Sequence, residues 1–119
     1  MKIRRQRHYD RQSINKWLKA RGEDLISEQS DLAFIIPGVA AAQLLLCEQN
    51  TYIFDSLVTN PLVSSPTRDK ALNALIVHML DASCGARIVA FSADSNLISR
   101  AQSLGFKAQP HVVLTYHKG

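Results

Sequence analysis

Two basic residues lie where a helix is predicted to begin, a place where cations are electrostatically unfavourable. Arg68 and Lys70 follow a Pro-bearing loop over Thr59 to Ser65 and fall in the first turn of the predicted helix. A helix N-terminus presents unpaired N–H groups and roughly half a positive charge, so cations fit there when an anion binds. The pattern predicts a phosphate site, in which backbone N–H groups from Asp69 to Asn73 supplement the two side chains. In the alternative, Asp69 offsets both cations and the turn is only solvated.

A strand, a loop and a helix must position this site. Apolar residues over Tyr52 to Val58 predict the strand, and the helix has Ser65 or Thr67 as its N-cap, an apolar face, and Gly85 as its end. A second strand over Arg87 to Ser92 follows the helix, so the two strands should be parallel. Parallel strands that part leave a crevice at their C-terminal ends, which suits a phosphorylated ligand.

The remaining pattern predicts an α+β fold. A short strand within Lys2 to Arg7 precedes a helix that begins at Asp10, as N-cap, and ends at Gly22. Three apolar runs joined by tight turns then predict an antiparallel meander: Leu32 to Ile36, Val39 to Cys47, and Tyr52 to Val58. A short helix over Asn96 to Leu104 and a last strand over His111 to Tyr116 complete the order β, α, β, β, β, α, β, α, β.

Length and charge favour one domain with a basic beginning. The 119 residues are 46% hydrophobic, which suits a single domain over residues 1–119. The formal charge is +4, and the first 21 residues hold one acid, Asp10, against eight basic residues: Lys2, Arg4, Arg5, Arg7, Arg11, Lys16, Lys19 and Arg21. Such an element serves nucleic acid, an acidic partner or an anionic substrate, or is simply a solvated face.

Other sequence features point away from secretion, membranes and metals. The chain opens with no leader pattern and has no apolar run of membrane-spanning length, so we expect a soluble, cytoplasmic protein. Cys47 and Cys84 lie in apolar runs and are expected to be buried thiols. The four histidines lack the spacing of a metal site.

Several segments, in order along the chain, resemble the GNAT acetyltransferases. They are the strand Ile53 to Val58, Asn60-Pro61, the segment Arg68-Asp69-Lys70-Ala71-Leu72-Asn73-Ala74-Leu75, the strand Ile88 to Ser92, and Leu104-Gly105-Phe106. The resemblance spans most of the chain. It implies a mixed, mostly antiparallel sheet with a central parallel strand pair and flanking helices.

The resemblance also implies acetyl-CoA as cosubstrate. In that family a Gln/Arg-x-x-Gly-x-Gly/Ala loop binds the pyrophosphate, and the strand before it bulges to expose backbone groups to pantetheine. Pantetheine binding would fall to Leu57, Val58 and Thr59. Pyrophosphate binding would fall to Arg68, Asp69, Lys70, Ala71, Leu72 and Asn73.

The sequence departs from the family at four places. Ala71 and Asn73 stand where glycine or a small residue is preferred, and the loop from Pro61 to Arg68 is longer than usual. Many members carry a tyrosine, the general acid, four residues before the Gly-Phe pair, where this chain has Ala101. The acid role would then fall to Tyr116, Ser92 or water.

The implied reaction is direct attack of an amine on the thioester of acetyl-CoA, with a base removing a proton. Asp55 is the first candidate for the base, because strand alternation would place it on the same face as Leu57 and Thr59. Glu48, near the end of the neighbouring strand, is the second. No covalent intermediate is needed, so neither cysteine has a predicted role.

The amine acceptor, a small molecule or a protein, has no motif of its own. Its pocket would include the stretch from Gly22 to Asp31, whose carboxylates suit a cationic amine: Glu23, Asp24, Glu28 and Asp31. The last strand is a candidate edge for a homodimer. The alternative is a catalytically inactive GNAT-fold protein that binds nucleic acid or a protein partner through its basic N-terminal element.

Overall fold

The computed structural model describes residues 1–23, 30–92, 94–110, 114 and 116. Five strands form one sheet in the order β1-β2-β3-β4-β5, namely β1 (Arg4–Arg5), β2 (Leu32–Ile36), β3 (Ala40–Glu48), β4 (Thr51–Thr59) and β5 (Arg87–Val89). Three α-helices accompany them: α1 (Arg11–Ala20), α2 (Ser65–Ala82) and α3 (Ser95–Ser103). A short 3-10 turn, His8–Asp10, leads into α1.

The predicted meander and the predicted parallel pair are both confirmed. Strands β1 to β4 pair antiparallel in sequence order, and β4 pairs with β5 in parallel. The turn between β2 and β3 has Pro37 followed by Gly38 at φ +75°, the signature of a type II turn. The last strand was expected over 111–116, which lies outside the described residues except for Leu114 and Tyr116, and these two have no regular structure.

The sheet carries one helix on each face. Helix α2 packs through Ala71, Leu75 and Met79 against Phe34 and Leu44 on one side. On the other side the α1 residues Ile14, Trp17 and Leu18, spaced i, i+3 and i+4, meet the strand residues Ile35, Ala41 and Val58. Side chains alternate between faces along a strand, and this alternation supplies both halves of the core.

Helix α2 begins earlier than the sequence predicted. Its N-cap is Ser64, whose hydroxyl donates to Thr67 Oγ1 at 2.9 Å, and Pro66 falls within the first turn. Arg68 is therefore the fourth helical residue and Lys70 the sixth, in the second turn. The predicted pair of first-turn cations is wrong, because the helix already begins at Ser65, although the side chain of its N-cap Ser64 makes no capping hydrogen bond to the backbone.

Two further expectations need comment. The free thiols of Cys47 and Cys84 are both exposed, because Cys47 is an extra residue in β3 opposite Tyr52 and Thr51, and Cys84 follows α2 with φ +54°. The prediction that they are buried is wrong.

Among the residues described, no helix has both the length and the hydropathy needed to cross a bilayer.

Candidate functional site

A groove opens where β4 and β5 part. The two strands pair at only three positions, Thr51 with Arg87, Tyr52 with Ile88, and Ile53 with Val89. Beyond them lies an open groove of about 1790 Å³, lined by residues 54–57 of β4, by 85–92 around β5, and by α3 residues that include Leu97, Ile98 and Ala101. The groove is wide enough for an extended ligand of nucleotide size.

A β-bulge at Asp55 changes which face of the sheet the side chains of β4 point to, and it lies beside this groove. Ser56 pairs with Gln43 and Phe54 pairs with Leu44, so Asp55 is one extra residue with no partner on β3. Leu57 packs with the α2 core, whereas the Asp55 carboxylate accepts a hydrogen bond from Gln43 on the α1 side. The expected common face for Asp55, Leu57 and Thr59 is therefore wrong, because the extra residue interrupts the alternation.

The end of β4 turns backbone groups away from β3. The Asn60 N–H donates to the Val39 carbonyl at 2.8 Å, and in an antiparallel ladder the bonded pairs alternate. The N–H and C=O groups of Leu57 and Thr59 consequently point away from β3, on the side where β5 has already diverged, while those of Val58 join the ladder. The Thr59 carbonyl accepts a hydrogen bond from Arg21 Nε at 3.3 Å, and its hydroxyl lies 2.6 Å from Arg21 Nη2.

The Asp55 carboxylate is exposed in the groove and held on one side. Gln43 Nε2 donates to its Oδ2 at 2.6 Å, and Gln43 Oε1 accepts from the Ser30 N–H at 3.2 Å. The neighbouring Ser56 hydroxyl oxygen is buried and has no hydrogen-bond partner within the described part of the chain. Sequence reasoning missed both Gln43 and Ser56, because neither belongs to a motif and only the bulge brings them beside Asp55.

The start of α2 offers backbone donors close to Arg68. Arg68 N–H already donates to the Ser64 carbonyl at 2.9 Å, and the N–H groups from residue 69 onward are paired inside the helix. At the start of α2 the N–H groups without a partner in the described residues belong to Ser64, Ser65 and Thr67, since Pro66 has none. The available donors lie one turn before the predicted range of Asp69 to Asn73.

The remaining predicted pyrophosphate residues have other contacts. Arg100 of α3 lies 2.8 Å from both Asp69 Oδ1 and Asn73 Oδ1, so these two side chains link the helices. Ala71 is fully buried on the side of α2 that faces the sheet, and Leu72, also in α2, is half-buried. Lys70 is exposed, and Arg68 is half-buried.

The other candidate acids and bases are dispersed. Glu48 pairs in register with Thr51 and thus lies at the opposite end of β4 from the groove mouth at Leu57. Tyr116 is 86% exposed and is not among the residues lining the groove. Ser92 does line the groove, and its hydroxyl accepts the Asp94 N–H at 3.1 Å.

The arginines of the basic N-terminal element are largely engaged within the protein. Arg4 forms a bidentate ion pair with Asp10 at 2.8 and 2.9 Å, Arg5 lies over the Phe34 ring, and Arg7 donates to the Tyr9 hydroxyl at 3.0 Å. The pKa of Asp10 is lowered, mainly by the Arg4 hydrogen bonds, which outweigh its desolvation, and further by the Arg7 N–H. Lys2, Lys16 and Lys19 are exposed and make no ion pair within the described residues.

Comparison with protein-family models and with curated proteins gives no match. Among solved structures, a protein from Agrobacterium tumefaciens ascribed acetyltransferase activity superimposes with a TM-score of 0.72 at 16% identity, covering 99% of this chain and 100% of its own. A transcriptional regulator from Bacillus halodurans gives 0.68 at 14% identity, with 98% and 99% covered. An aminoglycoside 6'-N-acetyltransferase from Acinetobacter haemolyticus gives 0.59 at 17% identity, with 99% of each chain covered. With the mixed five-stranded sheet and its parting parallel pair, these full-length superpositions show that the chain has a GNAT-like α+β fold.

Proposed function

We propose that this protein is an N-acetyltransferase that takes an acetyl group from acetyl-CoA and delivers it to an amine. The observation that carries the proposal is the parting of β4 and β5 beside the Asp55 bulge, which leaves the Leu57 backbone facing an open groove. The names of two structural neighbours, both acetyltransferases, support the same reaction class.

Fewer of the residues that the sequence implied are free to bind acetyl-CoA, and some donors lie at other positions. The Leu57 C=O faces the groove and would accept a hydrogen bond from an amide N–H of pantetheine, whereas the Thr59 carbonyl already accepts from Arg21. For the pyrophosphate we assign the Arg68 side chain together with the Ser65 and Thr67 N–H groups, because these donors are unpaired at the start of α2.

Acetyl-CoA supplies an acetyl group activated as a thioester. The Leu57 N–H is the backbone donor placed to polarise its carbonyl, and Asp55 is the base that takes the proton the amine nitrogen loses as the N–C bond forms and the C–S bond breaks. The sulfur leaves with the bonding electron pair. Ser92 lines the groove and is the hydroxyl we assign to relay a proton from water to the sulfur, so that the Ser92 hydroxyl is restored in the same step.

Titration calorimetry with acetyl-CoA tests the binding half of the proposal. We expect saturable binding at sub-millimolar concentration, weakened about tenfold by Arg68→Ala, since a charge-assisted hydrogen bond contributes about 1.5–3 kcal/mol. Lys70→Ala is the matched control, because this exposed cation lies in the second turn of α2. Equal losses in the two variants would refute the assignment of Arg68.

An assay of acetyl transfer tests the proposed reaction. Wild-type protein is incubated with acetyl-CoA and a panel of primary amines that includes polyamines, an aminoglycoside and lysine peptides, and released thiol is measured. We expect thiol release that depends on one class of amine. Binding of acetyl-CoA with no amine-dependent release anywhere in the panel would overturn the proposed reaction.

A second candidate is a GNAT-fold binding protein without catalysis. Two observations favour it: the residues from Arg68 to Asn73, where the resemblance implied a pyrophosphate loop, are helical, and Arg100 bonds to Asp69 and Asn73. One structural neighbour is named a transcriptional regulator. In this candidate the exposed lysines of the N-terminal element contact nucleic acid or an acidic protein.

A further inference from the structure

A buried glutamine beneath the groove touches the one carboxylate assigned to proton transfer. The Gln43 side chain is only 1% exposed, yet its amide group reaches Asp55, an exposed residue of the β4 bulge. We infer that Gln43 is a positioning residue that fixes the Asp55 carboxylate for proton transfer. This inference rests on the proposed function, and nothing in the sequence pattern pointed to it.

Two hydrogen-bond partners of Gln43, Ser30 and Asp55, dictate which way its amide points. The Ser30 N–H can only donate, so the atom 3.2 Å from it must be the carbonyl oxygen Oε1. The NH₂ group is then turned towards Asp55, where it donates to Oδ2 at 2.6 Å. A flipped amide would set two donors against each other at Ser30 and two acceptors against each other at Asp55.

This orientation leaves one carboxylate oxygen for chemistry. Oδ2 is occupied by Gln43, while Oδ1 makes no hydrogen bond within the described part of the chain and belongs to a residue that lines the groove. A residue at a bulge lacks the ladder partner that restrains its neighbours. Gln43 supplies the missing restraint from the side chain, and Oδ1 is presented to the acceptor in one geometry.

A second buried glutamine provides a matched comparison. Gln6 is 7% exposed and its Nε2 donates to the carbonyls of Phe34 and Ala42, which joins strands without touching the carboxylate. Replacement of either glutamine by methionine keeps a side chain of similar length and removes the amide. A loss specific to Gln43 therefore reports on Asp55 and not on buried polar packing in general.

The test is a double-mutant cycle on the acetylation of whichever panel amine is turned over. We expect Gln43→Met to lower kcat about tenfold while the KM for acetyl-CoA stays within about twofold, and Gln6→Met to leave kcat unchanged. In an Asp55→Ala background Gln43→Met should cause no further loss, since the two residues act as one unit. Full additivity of the two losses, or an equal loss in Gln6→Met, would overturn the inference.

An NMR measurement decides the same question without turnover. Three-bond couplings to the Asp55 carboxyl carbon report its χ1 angle, and we expect one rotamer in the wild type and averaged values in Gln43→Met. Averaging already in the wild type, or one rotamer in both proteins, would refute positioning by Gln43. If no amine of the panel is acetylated, the proposed function fails, and the couplings still show whether Gln43 holds Asp55.

Discussion

Asp10 shows how one residue can take a different role from the one its position in sequence predicts. It occupies the N-cap position of α1, as expected, but its side chain makes no capping bond to that helix. It accepts instead from both terminal nitrogens of Arg4 and from the Arg7 N–H at 2.7 Å. The sequence could predict a helix start at Asp10, but the arginine partner depends on how β1 lies beside β2.

Replacing Asp10 tests this ion pair. Because the folded-state pKa of Asp10 is lowered, its stabilisation is present above the ordinary pKa of about 3.9 and is lost as the pH falls through the lowered value. We expect Asp10→Asn to reduce the free energy of unfolding by about 1–3 kcal/mol at pH 7, measured by urea denaturation. The difference from wild type should shrink steadily below pH 4.

Asp81→Asn is the control for this experiment, since Asp81 is an exposed carboxylate whose side chain makes no hydrogen bond within the described residues. Its effect should be small at every pH. A difference between Asp10→Asn and wild type that persists undiminished at pH 2 would show that charge is not the cause.

At the scale of elements, the helices and strands were predictable and their exact starts were not. Periodicity located α1, α2 and four strands, because a buried face leaves a clear apolar pattern. The start of α2 was missed because Ser64, Ser65 and Thr67 are all good N-caps, so the choice falls to tertiary contacts. The resemblance implied a bulge in β4, but its position at Asp55 could not be predicted, because β4 alone does not reveal that β3 has one residue fewer opposite it.

The junction of α2 and α3 depends on Arg100, which bonds to the Asp69 carboxylate, the Asp69 carbonyl and the Asn73 amide oxygen. We expect Arg100→Ala to lower the free energy of unfolding by about 1 kcal/mol, since Asp69 is exposed to solvent. Amide exchange in α3 should accelerate while that in α1 is unchanged, as followed by hydrogen–deuterium exchange. Lys70→Ala, which removes a neighbouring exposed cation, serves as the control, and an equal acceleration there would contradict the assignment.

At the scale of the whole molecule, the uneven charge distribution has a structural explanation. Arg4 and Arg7 make contacts within the N-terminal segment, and Arg5 and Arg21 join that segment to Phe34 of β2 and Thr59 of β4. The resemblance to a known family implied a mixed, mostly antiparallel sheet with a parallel strand pair, which the structure confirms. The acceptor could not be predicted, because a pocket formed by several loops leaves no periodic signal in the sequence.

The charge distribution gives a test between the two candidate functions. For an acetyltransferase we expect no saturable association with a 20-base-pair DNA or a single-stranded RNA at micromolar protein, measured by fluorescence anisotropy. Saturable binding whose log–log salt slope falls by about 2 to 3 in a triple variant, Lys2→Ala with Lys16→Ala and Lys19→Ala, would favour the second candidate. Lysines are chosen because replacing Arg4 would also strip Asp10 of its partner.

The bulge at Asp55 also limits how the length of this chain can change. Before the bulge, even-numbered residues of β4 such as Phe54 pack on the α2 side. After the bulge, odd-numbered residues such as Leu57 do so. Loss of Asp55 itself would straighten the ladder and leave both halves of β4 on their present faces, because Phe54 already pairs with Leu44 and Ser56 with Gln43. Loss of a residue elsewhere in β4 would move one part of the strand to the opposite face. Related sequences should therefore vary in length at Asp55 or at the exposed Gln49-Asn50 turn, and not at other positions of β4.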